Sequence, residues 1–119
     1  MASLQTNYER GHKAEDRMAW YLRCKGYRII DKRFKTPVGE IDIIAKKGGA
    51  LIFVEVKYRQ NTVALGEAIS VKNRRRVEKA AQLFCQKHRL SNQQWRFDAI
   101  LLAPKKWPHH IKQAWIFGE

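Results

Sequence analysis

Two short segments, Gly39-Glu40-Ile41-Asp42 and Val54-Glu55-Val56-Lys57, set acids and a lysine inside apolar, β-branched stretches. Such stretches read as strands. Side chains two apart on a strand share a face, so Glu40 goes with Asp42 and Glu55 with Lys57. Charge inside an apolar strand costs free energy unless it is paired or bound to a metal. Between the segments, Lys46-Lys47-Gly48-Gly49 makes a hairpin turn. Two neighbouring strands thus bring two carboxylates and an ammonium into one small space.

The rest of the pattern supplies a frame. Gly11, Ala14, Met18 and Leu22 fall at helical spacing over residues 7–25, and Gly26 is a C-terminal stop. Strands are expected over 27–34, 40–45 and 50–58, with Thr36-Pro37-Val38-Gly39 as the first turn. The third strand has Leu51 and Phe53 on one face and Ile52, Val54 and Val56 on the other, which marks it as central and covered on both sides. After a loop from Arg59 to Gly66, Ser70 is a fitting N-cap for a second helix carrying Val77, Ala80, Ala81, Phe84 and Cys85. Strands at 95–102 and 111–117 complete the order αβββαββ. A meander with flanking helices implies an α/β sandwich around a mixed central sheet. At 119 residues, one domain spanning 1–119 is expected.

Charge narrows the function. Lys and Arg number 24 against 11 Asp and Glu, a formal net charge of +13. An excess of this size points to a polyanionic partner, nucleic acid first. A membrane is not indicated: no apolar run approaches spanning length, and neither terminus reads as a strongly amphipathic basic helix. The first ten residues lack the apolar run of a signal peptide. Cys24 and Cys85 form no C-x-x-C motif and read as two buried thiols of a reduced protein. The expected location is cytoplasmic.

The acids suit one chemistry. A phosphodiester is shielded by its negative charge, so cleavage needs a nucleophilic water and a cation to draw off charge. Mg²⁺ takes hard oxygen ligands and keeps several waters. Asp42 and Glu55 would ligate it from adjacent strands, with the Val56 carbonyl as a neutral third oxygen. Lys57 would orient the attacking water or stabilise charge on the phosphate. Glu15 falls on the helix face aimed at the sheet, given Gly11, Met18 and Leu22. It either completes the ligand shell or forms an ion pair. Glu40 is a further, accessory acid near the strand end.

These residues carry a family resemblance. Gly11-x-x-Ala14-Glu15, Gly39-Glu40-Ile41-Asp42, Phe53-Val54-Glu55-Val56-Lys57 and Trp95-Arg96-Phe97-Asp98 together resemble the YraN-type small bacterial proteins. Those belong to the PD-(D/E)xK nuclease superfamily and are similar to archaeal Holliday-junction resolvases in motif order. The resemblance covers nearly the whole chain. It implies a restriction-endonuclease-like sandwich, with Asp42 as the strand acid, Glu55 and Lys57 as the (D/E)xK pair, and Glu15 as the helix acid. Ile41 stands where the superfamily motif has Pro, which leaves the ligand itself in place.

Lys72, Arg74, Arg75, Arg76 and Lys79 cluster at the start of the second helix. One reading is a solvated face. The other is phosphate binding, favoured because positive charge at a helix N-terminus opposes the helix dipole. Lys32, Arg33 and Lys35 would extend that groove. Asp98 reads as an ion-pair partner of Arg96, the adjacent His109 and His110 as loop residues, and Trp20, Trp95, Trp107 and Trp115 mainly as core, any exposed one being able to stack on bases. The sequence thus indicates a nucleic-acid-binding, Mg²⁺-dependent endonuclease in which Mn²⁺ substitutes. DNA is favoured over RNA, and branched or structured DNA follows from the resolvase resemblance. The alternative is a non-catalytic nucleic-acid-binding module that keeps the fold. Cutting both strands of a junction needs two sites, which a homodimer would supply.

Overall fold

The computed structural model describes residues 7–60, 65–90 and 93–119. Helix α1 (Asn7–Cys24) leads into three strands, β1 (Arg28–Thr36), β2 (Gly39–Lys47) and β3 (Ala50–Tyr58). A short helix, α2 (Leu65–Ala68), precedes α3 (Val71–Lys87), and strands β4 (Gln94–Leu102) and β5 (His109–Trp115) follow. The sheet order is β1-β2-β3-β4-β5. All neighbours are antiparallel except β3 and β4, which run parallel. A parallel neighbour requires a crossover, and α3 lies on it.

Local chemistry sets the ends. α1 stops where Leu22 O accepts both the Lys25 and Tyr27 N–H groups, with Gly26 at φ 89, a left-handed exit that glycine makes without strain. Ser70 caps α3 in extended backbone, its hydroxyl accepting from Asn73 N at 3.1 Å. α2 was not expected from the sequence; its four residues are too few for periodicity to register.

β3 is the middle strand, and Leu51 to Glu55 are all buried. On one face α1 contributes Met18, Ala19 and Leu22 to a core with Ile43, Ala45, Ile52, Val54 and Ile100. On the other, α3 sets Val77, Ala80, Ala81 and Phe84 against Ile41, Ile44, Leu51 and Phe53. The expected mixed α/β sandwich is therefore the one observed. Cys85 is buried, but Cys24 is exposed near the end of α1, against the expectation of two buried thiols. Among the described residues, no helix is long and apolar enough to cross a membrane.

One irregularity bears on the site. Ile41 packs with the α3 cluster and Ile43 with the α1 cluster, although residues two apart on a regular strand share a face. The β2–β3 register runs from Lys47↔Ala50 to Ile43↔Val54, and Asp42 lies one step beyond. There the start of β2 leans on α3. Gly39 is buried, and a Cβ on it would overlap the Arg76 backbone carbonyl. Only glycine permits that approach.

Candidate active site

Where β2 leaves β3, a side chain takes over from the ladder. Asp42 Oδ2 accepts the Val56 N–H at 2.7 Å. This fixes the Asp42 carboxylate beside the next residues of β3. Glu55 is 2% exposed. Its Oε2 lies 3.4 Å from Lys57 Nζ, as the shared strand face of these two residues requires. Among the described residues, its Oε1 is buried without a hydrogen-bond partner. Buried polar atoms are almost always satisfied, so this one needs an explanation.

The protonation behaviour follows from that crowding. Burial, then the Asp42 charge, push Glu55 up to about 8, against the pull of Lys57. Asp42 is also raised, first by burial and further by Glu40, while the Val56 N–H and Lys57 pull it down. Glu15, on α1, reaches about 7 through burial and the Asp42 charge, offset by Arg33. Three acids from α1, β2 and β3 therefore sense one another electrostatically through Asp42. Glu15 is not left alone: Arg33 NH1 lies 3.5 Å from its Oε2. Arg33 has φ 55 within β1 and also reaches Asp16 at 3.1 Å, while Lys32 pairs with Asp16 at 2.8 Å. Glu40 is exposed.

Among the described residues, no group of three or more His, Cys, Asp or Glu side chains is placed to enclose a metal ion. Asp42 and Glu55, with the Val56 main chain between them and Lys57, make a lean oxygen donor set. Mg²⁺-like ions accept such a set because they retain water in the remaining positions. Glu55 Oε1 fits a hard cation: it is an acidic oxygen without a hydrogen-bond partner among the described residues.

The basic start of α3 divides into two kinds of residue. Lys72, Arg76 and Lys79 are exposed, and Arg74 is half-buried. Arg75 instead donates to both oxygens of Glu78 at 3.1 Å and to the Gly118 carbonyl at 3.0 Å. Glu78 is buried and also accepts the Trp115 Nε1–H at 3.0 Å and the Gly118 N–H at 3.2 Å. Sequence reasoning passed over Glu78. The available signal was Arg75 three residues earlier, a facing pair on a helix.

A second buried acid is fully employed. Asp98 accepts Arg96 Nε and NH2 at 2.8 Å, the Gln113 N–H at 3.0 Å, and lies 2.8 Å from His110 Nε2. Burial raises its pKa, but the hydrogen bonds from His110 and Arg96 outweigh that and hold Asp98 below the usual value. The expected Arg96–Asp98 ion pair is present. His110 is not a loop residue: it lies in β5, 3% exposed at its side chain, with Lys25 Nζ 2.7 Å from Nδ1.

Comparison with known proteins is consistent with this geometry. The sequence profile of Uncharacterised protein family UPF0102 matches residues 14–102. A UPF0102 protein of Sphingopyxis alaskensis is 40% identical over 106 residues, covering 89% of this chain and 91% of the relative. Another, from Bartonella henselae, is 45% identical over 113 residues, covering 90% and 86%. Among solved structures, Archaeoglobus fulgidus Hjc, a Holliday junction resolvase from an archaeal hyperthermophile, superposes with a TM-score of 0.55 at 19% identity, covering 82% of this chain and 72% of that one. At that identity the likeness is one of fold, and the fold is the restriction-endonuclease-like class expected from the motifs.

Proposed function

This chain belongs to the UPF0102 family of YraN-type proteins, and we propose that it is a divalent-metal-dependent endonuclease acting on DNA in the cytoplasm, with branched or structured DNA as substrate. The observation that carries this reading is Glu55 Oε1, a buried acidic oxygen with no hydrogen-bond partner among the described residues, on the strand whose Val56 N–H holds Asp42. Asp42, Glu55 and the Val56 carbonyl would hold Mg²⁺, or Mn²⁺ in its place. A hard dication bound there supplies charge neutralisation for the phosphate and acidifies a coordinated water.

The chain's own groups do the rest. Lys57, held at one Glu55 oxygen, orients water and meets phosphate charge. Glu15 adds negative potential beside Asp42 and would complete the shell of a bound ion directly or through water. Lys72, Arg74, Arg76 and Lys79 bind phosphates, with Arg75 shaping the start of the helix. A homodimer would bring two such sites to the opposed strands of a junction.

The experiment is incubation of the protein with duplex, flap, four-way-junction and single-stranded DNA, and matching RNA, with and without Mg²⁺ or Mn²⁺. Metal-dependent cleavage lost in Asp42→Asn supports the reading. Metal-independent binding without cleavage of any member supports a second one, a nucleic-acid-binding module that keeps the fold.

A further inference from the structure

A groove of about 930 Å³ opens between α1, the ends of β3 and β4, and the segment joining β4 to β5. Five cations line it: Lys13, Arg17, Arg59, Lys105 and Lys106. Among its described lining residues there is no Asp or Glu. It lies on the α1 side of the sheet: Ala14, next to Glu15 on α1, and Tyr58, next to Lys57 on β3, both line it, although Tyr58 and Lys57 themselves face opposite sides of the strand. Acid-free positive potential of this kind collects phosphate along a track.

At the rim stands an aromatic side chain that the core does not use. Trp107 is 90% exposed, whereas Trp115 is 5% exposed. Its neighbours Lys106 and Pro108 both line the groove. The segment holding it is stiff. Pro104 and Pro108 fix two backbone angles, Lys105 takes φ 60, and Lys106 N–H donates to Ala103 O at 3.4 Å. A tryptophan face presented on a restrained turn loses little freedom when it stacks. Tyr58, 48% exposed, offers a second ring in the same groove.

We propose that the groove and Trp107 form a binding site for an unpaired DNA strand, with the five cations on its phosphates and the Trp107 indole stacked on a base. This rests on the DNA reading above and specifies its substrate: DNA that carries unpaired bases. Aromatic platforms beside cationic tracks are how proteins hold single strands without reading sequence.

The test is fluorescence anisotropy in EDTA, so that binding is measured apart from cleavage. The probes are a blunt DNA duplex, the same duplex with an unpaired DNA arm, and that duplex with an unpaired RNA arm. Wild type should hold the DNA-armed probe most tightly. Trp107→Ala should weaken that probe by about 5- to 100-fold, the range for removal of one stacking platform. It should leave the blunt duplex unchanged, and Trp107→Phe should recover most of the loss. Quenching of 2-aminopurine in the arm should disappear in Trp107→Ala. Lys105→Ala with Lys106→Ala should lower the salt slope on the armed probe by about 1.4, at about 0.7 per single-strand contact. Because Trp107 is so exposed, its variants should melt with wild type. Trp107→Ala binding the armed probe at full strength, or wild type binding no probe, overturns the proposal, and an RNA arm held as well as or better than the DNA arm overturns its assignment to DNA. Failure of the nuclease reading is separate: it shows as no metal-dependent cleavage while this binding persists.

Discussion

Lys57 Nζ stands 3.4 Å from Glu55 Oε2, two residues back on the same strand face, and satisfies only one of the two carboxylate oxygens. The other oxygen is available to a cation. Millimolar Mg²⁺ or Mn²⁺ should therefore raise the melting temperature by mass action, since a ligand that prefers the folded state stabilises it. Glu55→Gln should abolish that shift while raising the metal-free melting temperature at pH 8.5, because a buried charge that Lys57 offsets only in part has been removed. A melting curve for wild type that ignores metal would count against a formed site.

Without metal, stability should depend on pH in a defined direction. Glu55 moves from 4.5 to about 8 on folding and Glu15 from 4.5 to about 7. The folded state then binds more protons than the unfolded chain across that window, so stability is full below about 4.5 and falls as pH rises through 7 and 8. Metal ligation needs deprotonated carboxylates. The metal-induced shift should therefore grow over the range in which the metal-free protein weakens. Melting curves at half-unit pH steps, with EDTA and with Mg²⁺, check both trends.

Lys57→Ala should remove cleavage and keep the metal-induced melting shift, since the ammonium acts on water and phosphate and does not ligate the ion. Single-turnover cleavage on a junction substrate reads the first effect, and the thermal shift reads the second. Cleavage at the wild-type rate would refute the role given to Lys57.

Gly39→Ala should cost about 2 kcal/mol, in the range for overpacking a close contact. The new Cβ meets the Arg76 carbonyl on α3, which is main chain and cannot rotate aside. β2 would have to lift away at the end that carries Asp42. Urea denaturation reports the cost, and a weakened metal-induced shift reports the displacement of the acid.

Arg75 and Arg76, adjacent in sequence, should behave differently. Arg76 is exposed, so Arg76→Ala should lower the duplex salt slope by about 0.9, the value for one phosphate contact. Arg75 is held by Glu78 and Gly118 O. Arg75→Ala should leave the slope nearly unchanged and destabilise the fold by about 2 kcal/mol, between an exposed and a buried ion pair. Salt titrations and denaturation of both variants separate the two roles.

The frame was legible because its signals are local. Alternation in Ala50–Tyr58 marked the central strand at its observed bounds, and Ser70 announced α3. Glu15, Asp42, Glu55 and Lys57 stood out as charges at positions with apolar surroundings. What escaped depended on contacts between segments distant in sequence. His110 is buried because Asp98 and Lys25 meet it from another strand and from beyond α1. Glu78 is a core residue through Trp115, Gly118 and Arg75. The loss of strict alternation at Asp42 comes from α3 pressing on Gly39, which no period-two pattern in β2 reveals.

The parallel β3–β4 neighbours also order events during folding. Asp42, Glu55 and Lys57 all lie on the β2–β3 hairpin, whose ends are joined by a tight turn. β4 reaches β3 only after the chain has closed over α2 and α3, and long closures are slow relative to hairpins. The acidic strands therefore find each other early, before the second half of the sheet has arrived to bury them.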